Sequence, residues 1–274
     1  MGALAITCTS MVDLDRYPVT DLQSTSAQAL IARVQADLSG SGACELQGFL
    51  TPVAVQCAVE ECAILKPEAF TSRTNATAYL TSADSDFPER HARTFTMKSS
   101  VGVVGYDQIP LSNSIRQLYE WPPLMEFIAR TLDVPHLYHY ADPLGALNLA
   151  VMGDGDRLGW HFDQTDFVVS IPLVSALEGG EFEVYPLLRS ANQENYAAVT
   201  AAVTGTSTPP TRFPMNPGSL LLFKGRHSLH RVTRISGAKH RVVALLAYDT
   251  QPDTNSTTEL KLARYGRTQP LTAI

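Results

Sequence analysis

Apolar residues recur with two different periods along the chain. In the first half they return every three or four positions, which is the spacing of one face of an α-helix. One such face is formed by Leu30, Ile31, Val34 and Leu38, and a glycine- and serine-rich run follows it. Thr51-Pro52 has the order of a helix cap and a first turn. These patterns predict helices over residues 25–38, 51–65 and 112–132, the last interrupted at Pro122-Pro123, and a short strand over residues 43–50.

The pattern changes after residue 134, where short β-type runs alternate with Gly, Pro and Asp. Short strands at such spacing are typical of a sandwich or a barrel. The predicted strands cover residues 136–140, 146–152, 167–173, 181–185, 219–224, 230–233 and 241–248. Two segments, residues 71–108 and 187–212, are polar and weakly patterned. Long irregular segments are often functional lids, and we expect at least one of these two to close over a substrate.

Composition narrows the class of protein. The chain has 274 residues, of which 45% are hydrophobic, so it can build a core. Its formal net charge is −6, so the chain lacks the excess of basic residues that is typical of a nucleic-acid-binding protein. No stretch reaches the roughly 18 apolar residues of a membrane span. The N-terminal segment has no basic start before an apolar run, and we expect a cytoplasmic protein.

The four cysteines, Cys8, Cys44, Cys57 and Cys62, lack the two-residue spacing of a zinc or redox motif. We expect them to be reduced thiols.

A metal-binding pattern is present in Gly159-Trp160-His161-Phe162-Asp163. Side chains two positions apart on a strand point to the same face, so His161 and Asp163 can reach one metal ion together. The best second histidine is His230, in Leu229-His230-Arg231-Val232-Thr233. Two imidazoles and one carboxylate that leave open positions are the arrangement of non-haem Fe(II) oxygenases.

With this context, the sequence resembles the Fe(II)/2-oxoglutarate-dependent oxygenase superfamily, especially its prolyl-hydroxylase-like members, over about residues 148–248. Four elements in the right order carry the resemblance. They are His161-Phe162-Asp163 after Gly153-Asp154-Gly155-Asp156, the turn Glu178-Gly179-Gly180-Glu181-Phe182, the run Asn216-Pro217-Gly218-Ser219-Leu220-Leu221-Leu222-Phe223, and His230-Arg231-Val232-Thr233 followed by Arg241.

The resemblance implies roles for particular residues. His161, Asp163 and His230 would bind Fe(II), and no catalytic side chain is expected beyond this metal site. Arg241 would anchor the distal carboxylate of 2-oxoglutarate, for which a forked guanidinium is suited. O2 would be the second cosubstrate.

Two further contacts to the cosubstrate are expected, from Asn148 on the strand before the metal pair and from Thr233. Related halogenases carry a small residue in the place of Asp163, which leaves a site for chloride. The carboxylate in this chain therefore disfavours halogenation.

The resemblance also implies the fold class, which is mainly β with flanking helices (α+β). We expect a double-stranded β-helix, or jelly roll, packed on N-terminal helices in a single domain. In this division residues 1–133 form helical support and a lid, residues 134–250 the β-helix, and residues 251–274 a C-terminal extension.

The expected function is oxidation of a small polar substrate, most simply an amino acid. Arg93, in a segment that also holds Arg90 and Lys98, would pair with the substrate carboxylate, and Asp142 would hold its amine. No nucleic-acid or membrane partner is expected, and the oligomeric state stays open. Hydroxylation of prolyl or other peptide residues is an alternative, and a non-catalytic, metal-dependent binding protein is an alternative of another class.

Overall fold

The computed structural model describes residues 6–271. Residues 1–5, part of the segment searched for a secretory signal, and residues 272–274 of the predicted extension lie outside the described residues. No described helix is long and apolar enough to cross a membrane. The helices are α1 (Cys8–Met11), α2 (Thr25–Gly40), α3 (Pro52–Leu65), α4 (Ser114–Glu120), α5 (Pro122–Thr131), α6 (Tyr196–Thr204) and α7 (Thr258–Tyr265).

The strands form two main antiparallel sheets. The large sheet has the order β1-β10-β7-β12-β5-β3-β2, the small sheet the order β6-β11-β8-β9, and β13 pairs with β4. The strands are β1 (Ala43–Leu46), β2 (Phe70–Ala76), β3 (Met97–Val104), β4 (Tyr138–His139), β5 (Leu147–Met152), β6 (Leu158–His161), β7 (Val168–Val174), β8 (Phe182–Tyr185), β9 (Thr211–Phe213), β10 (Leu220–Phe223), β11 (Leu229–Val232), β12 (Arg241–Leu246) and β13 (Tyr248–Asp249).

The two sheets face each other across an apolar cluster. Met152 and Phe223 of the large sheet meet Phe182 and Val232 of the small sheet there. Because side chains alternate along a strand, the residues between these positions point outward. The mainly β jelly-roll architecture with flanking helices that the sequence predicts is therefore confirmed.

The outward face of the large sheet carries the main core, which α2 to α5 cover. The local sequence explains where two of these helices begin. Ser24 accepts a hydrogen bond from the Ala27 amide at the start of α2, and Thr51 accepts one from the Ala54 amide at the start of α3. Such caps satisfy donors that have no partner within the helix.

The strand predicted within residues 43–50 is present as β1, and two strands that the pattern does not predict, β2 and β3, also join the large sheet. The interpretation of residues 71–108 as one irregular segment is wrong, since β2 and β3 occupy both of its ends. Similarly, α6 and most of β9 lie within residues 187–212. The strands β2 and β3 were missed because β2 is the edge strand of the large sheet and β3 is its neighbour. Few of their positions are buried, so hydrophobic alternation along them is weak.

The outward face of the small sheet is covered by α6 and by the loop between β2 and β3. Trp160, Phe162 and Leu229 pack there against Val199 of α6 and Ala92 of the loop. The alternation of the strands places His161 and His230 on the other side, facing the space between the sheets.

Candidate metal centre

Three side chains that the sequence pattern selects meet at one end of the small sheet. His161 ends β6 and lies opposite His230 of β11 in the strand register. His161 Nε2 is 3.8 Å from Asp163 Oδ1, and His230 Nε2 is 3.3 Å from Asp163 Oδ2. One ligand atom from each residue lies within 4.8 Å of the other two, so the three side chains could hold one metal ion.

Backbone carbonyls orient both imidazoles. His161 Nδ1 lies 2.8 Å from the Gly159 carbonyl oxygen, and His230 Nδ1 lies 2.9 Å from the Ser228 carbonyl oxygen. Since a carbonyl can only accept, each Nδ1 donates, which leaves Nε2 of each ring as the nitrogen that faces the metal site. Burial, together with the neighbouring His230, lowers the pKa of His161 to about 4. His161 is therefore neutral near neutral pH, the form that binds a metal.

The third donor, Asp163, is held by a close backbone approach. Its amide donates to the Gly225 carbonyl oxygen at 3.1 Å, and a Cβ at residue 225 would overlap Asp163 Oδ2. Asp163 Oδ2 is buried and has no hydrogen-bond partner within residues 6–271. A buried carboxylate oxygen without a partner is costly unless a cation satisfies it. The donor set of two imidazoles and this carboxylate fits a divalent iron ion.

Aromatic rings shield one side of the centre. The rings of Phe223 and Phe182 have centroids 4.9 Å and 5.7 Å from that of His230. Both phenylalanines belong to the apolar cluster between the sheets, which also contains Met152. This cluster leads from the metal centre to Arg241, whose Nη1 lies 3.9 Å from Met152 Sδ.

Arg241 is a buried cation without an acidic partner in the described part of the chain. Burial lowers the pKa of its guanidinium to about 10, so it is still charged at neutral pH. It borders a cavity of about 320 Å³ whose wall also includes Gly180, Phe182 and Met215. A buried guanidinium beside a cavity is suited to hold a carboxylate.

The other two residues expected to contact the cosubstrate are already bonded within the chain. Asn148 Nδ2 donates to the Gly145 carbonyl oxygen and to the Tyr265 hydroxyl, both at 3.3 Å. Thr233 Oγ1 accepts from the Glu181 amide at 3.0 Å. Asn148 also lies four residues along β5 from Met152, the register partner of Arg241, a separation of about 13 Å. Asn148 and Arg241 are therefore too far apart to share one carboxylate group, and the roles of Asn148 and Thr233 stay predictions.

The structure does not bring Arg93 to the metal ligands. Arg93 Nε donates to the Tyr196 hydroxyl at 3.0 Å, and its guanidinium lies 4.6 Å from the centroid of the Tyr79 ring. Tyr79 in turn packs on Phe162, whose side chain is part of the cluster on the outward face of the small sheet. The contacts of Arg93 join the β2–β3 loop to α6, and the role of Arg93 in substrate binding stays a prediction.

These contacts show how the two expected lid segments meet. Besides the Arg93–Tyr196 bond, the Ala92 amide donates to Thr200 Oγ1 at 3.1 Å. The Tyr79 hydroxyl between them is buried and has no hydrogen-bond partner in the described part of the chain, and burial raises its pKa. The β2–β3 loop and α6 thus form one layer, and closure of that layer over a substrate stays a prediction.

Asp142, the expected partner of a substrate amine, already has a cation beside it. The residue is fully buried, and its Oδ1 lies 3.4 Å from Lys261 Nζ and accepts from the Leu144 amide at 2.9 Å. Its Oδ2 has no partner among the described residues. Asp142 therefore joins α7 to the loop before β5, and its expected role toward a substrate stays a prediction.

Sequence reasoning missed three residues near the site. Gly225 supports Asp163, and Arg264 and Tyr265 of α7 approach Asn148. Thr257 and Gly266 bracket α7 as a cap and a left-handed end, a signal that could have predicted the helix itself. Nothing local indicates that its last turn lies beside β5.

Comparisons with known proteins agree with this geometry. A family model described as Halogenase D (HalD) matches residues 32–264. A comparison with curated proteins gave no match.

Among solved structures, the non-heme alpha ketoglutarate dependent epimerase SnoN from nogalamycin biosynthesis is 15% identical with a TM-score of 0.55, covering 90% of this chain and 97% of that chain. AviO1 from Streptomyces viridochromogenes Tue57 is 15% identical with a TM-score of 0.54, covering 81% and 96%. An oxidoreductase of the 2OG-Fe(II) oxygenase family from Burkholderia pseudomallei is 18% identical with a TM-score of 0.50, covering 82% and 93%.

The structural likenesses confirm the fold that the sequence resemblance implies. The matched residues 32–264 make up well over half of the 274 residues. The chain therefore has the fold of the 2OG-Fe(II) oxygenases and belongs to the family described as Halogenase D.

Proposed function

We propose that the protein is an Fe(II)- and 2-oxoglutarate-dependent oxygenase that oxidises a C–H bond of a small polar substrate, an amino acid or a derivative. One observation supports this most directly. The His161, Asp163 and His230 donor set and the unpaired, buried Arg241 border the same apolar cluster between the sheets. A protein that only captured a ligand on its metal would not need a second, buried cation.

The residues of the site have different roles. When bound, iron supplies the activation of O2, with 2-oxoglutarate as the reductant that leaves as succinate and CO2. His161 and His230 hold the metal through Nε2, since their Nδ1 atoms are bonded to carbonyls. Arg241 holds the distal carboxylate of the cosubstrate, and Phe182 and Phe223 keep water away from the His230 side.

The name of the matched family raises halogenation as a second activity. Asp163 argues against it in this chain, because its carboxylate lies within 3.8 Å of both imidazoles and takes the position that a halide would need. We therefore propose oxygenation. The product is expected to gain one oxygen or lose two hydrogens, and to contain no chlorine when chloride is present.

The test is succinate release with Fe(II), 2-oxoglutarate and air, measured for free amino acids and for proline-containing peptides, with products identified by mass spectrometry. Stimulation by a free amino acid with an oxidised product supports the proposal. Stimulation by peptides alone supports the peptide-hydroxylase alternative, and a chlorinated product contradicts the role given to Asp163. If no candidate substrate is turned over, the binding-protein alternative replaces the oxygenase.

A further inference from the structure

The C-terminal helix α7 brings a second cation to the space between the sheets. The helix packs on β2 and β3, where Ser72 Oγ donates to the Ala263 carbonyl oxygen at 2.7 Å and Tyr265 packs with Val103. Arg264, which lies between Ala263 and Tyr265, donates from Nη2 to Asn148 Oδ1 at 3.4 Å. The same face of β5 carries Asn148, Ala150 and Met152. Met152 belongs to the cluster between the sheets, so Arg264 meets the inward face of β5.

The helix α7 and the strand β6 pack against the same strand, β3. β6, which carries His161, runs beside β3, and the Gly159 amide donates to Ser99 Oγ at 2.9 Å. β3 is thus flanked by β6 and by α7. The helix that carries Arg264 is therefore one strand away from the strand that carries His161.

The guanidinium lacks a counterion. Within the part of the chain that the structure describes, no carboxylate lies within salt-bridge distance of Arg264, and its Nε is buried without a hydrogen-bond partner. The nearby carboxylate of Asp142 is taken by Lys261. The groups that Arg264 contacts, the Asn148 amide oxygen and the Tyr265 hydroxyl, are neutral, so neither balances the charge of the guanidinium. Arg264 is half-buried, and a guanidinium whose Nε is buried without a partner is better satisfied when a ligand supplies an anion.

We propose that Arg264 binds the carboxylate of the substrate, and that the enzyme selects small molecules bearing a free carboxylate. This inference rests on the proposed function and names the group that its site recognises. A carboxylate fits because one planar guanidinium pairs with it through two parallel hydrogen bonds. A phosphate is less suited, because Lys261, the other cation on this face of α7, is already paired.

Arg264 is assigned to the substrate rather than to 2-oxoglutarate because of its position relative to Arg241. Arg241 lies opposite Met152 at one end of β5, and Arg264 contacts Asn148 at the other end. The two cations are therefore at separate ends of the same strand, so each could meet a different carboxylate. The residue that the sequence favours for the substrate, Arg93, instead contacts Tyr79 and Tyr196, which pack on the outward face of the small sheet.

The test measures binding by calorimetry to protein loaded with Fe(II) and 2-oxoglutarate in the absence of O2. The probes are the proteinogenic L-amino acids, each injected singly, and the C-terminal amide of any that binds. For the wild type, we expect the acid to bind about tenfold or more tightly than its amide. Arg264→Leu is expected to remove this preference, because it should weaken binding of the acid at least about tenfold and change binding of the amide little.

Two further variants make the result specific. Arg73→Leu removes the same charge from an exposed position of β2 and should keep the preference for the acid. Arg264→Gln keeps a donor for Asn148 but not the charge. It should lose the preference like Arg264→Leu, and it serves in its place if the leucine variant does not fold.

The inference is overturned if the acid-to-amide ratio persists in both Arg264 variants, or if no amino acid binds the wild type. The proposed function is judged separately by whether the wild type binds 2-oxoglutarate and, in air, converts it to succinate. A wild type that prefers the acid but makes no succinate would retain the carboxylate site and lose the oxygenase assignment.

Discussion

Gly225 lies so close to Asp163 that a side chain at residue 225 would overlap the Asp163 carboxylate. The approach is fixed by a hydrogen bond of 3.1 Å from the Asp163 amide to the Gly225 carbonyl oxygen. Glycine at this position thus decides where the third metal donor can stand, although it bears no ligand atom itself.

We expect Gly225→Ala to displace the Asp163 carboxylate and weaken Fe(II) binding by about 10- to 100-fold, as loss of support for a metal ligand typically does. Metal titration of the apoprotein, monitored by calorimetry, measures this. Gly40→Ala is the matched control, because a Cβ there meets no atom within 4 Å. Equal iron affinity in wild type and Gly225→Ala would mean that Asp163 tolerates the shift or is not a ligand.

Replacement of either imidazole should remove the metal site while leaving the fold. His161→Ala and His230→Ala each leave two donors, which hold iron weakly and in the wrong shape. Iron content after reconstitution and succinate release are both expected to fall to background. His136→Ala, an exposed histidine, should retain both. Full iron loading with normal turnover in either ligand variant would show that the wrong histidine was selected.

Arg241→Leu should raise the KM for 2-oxoglutarate. Loss of one partner of a buried charge-assisted pair typically costs about 2–5 kcal/mol, and each 1.4 kcal/mol corresponds to about tenfold in affinity. An increase of tenfold or more is therefore expected from steady-state kinetics. The exposed Arg234 gives the comparison variant, Arg234→Leu. If that variant raises the KM and Arg241→Leu does not, the anchor is Arg234.

The buried pair of Lys261 and Asp142 predicts a stability effect. Lys261→Met leaves a fully buried carboxylate without its cation, and removal of one partner from such a pair costs about 3–5 kcal/mol. Urea unfolding measures the change. The double variant Lys261→Met/Asp142→Asn should be more stable than Lys261→Met alone, because the orphaned charge is gone. Lys239→Met at an exposed position should change stability by less than about 0.5 kcal/mol.

The cysteines should differ in reactivity. Burial raises the pKa of Cys44 and of Cys62 to about 12, so both remain protonated thiols at about pH 8, and only the thiolate is a nucleophile. Iodoacetamide should therefore modify the partly exposed Cys8 and Cys57 first, as peptide mass spectrometry can follow. In urea all four should react at similar rates. Rapid labelling of Cys62 in the folded protein would contradict its burial.

Much of the fold was predictable because it depends on local patterns. The helical faces of α2 and α3 and their capping residues are encoded within a few turns, and the strands of the β-helix are short apolar runs between turn residues. The polar strands β2 and β3 were not predictable in this way. They pair along the edge of the large sheet, and only the neighbouring strand explains why they are extended.

The candidate metal ligands were predictable for a similar reason. Two local features of the sequence identify them, the spacing of His161 and Asp163 and the motif around His230. The structure brings the three side chains together. Asn148, Asp142 and Arg93 show where this reasoning ends. Each has the right chemistry for its expected partner, but each already contacts another part of the chain.

The sequence by itself determined helices α2 to α5, most of the strands and the residue types of the metal centre, since these follow from periodicity and from motifs a few residues long. Only the tertiary structure decided that Arg93 contacts Tyr79 and Tyr196 outside the small sheet, that Gly225 positions Asp163, and that Arg264 reaches β5 from a helix more than one hundred residues away. The physical reason is that a side chain's residue type and spacing are local properties. The face on which it lies and the charges that it meets depend on how distant segments pack.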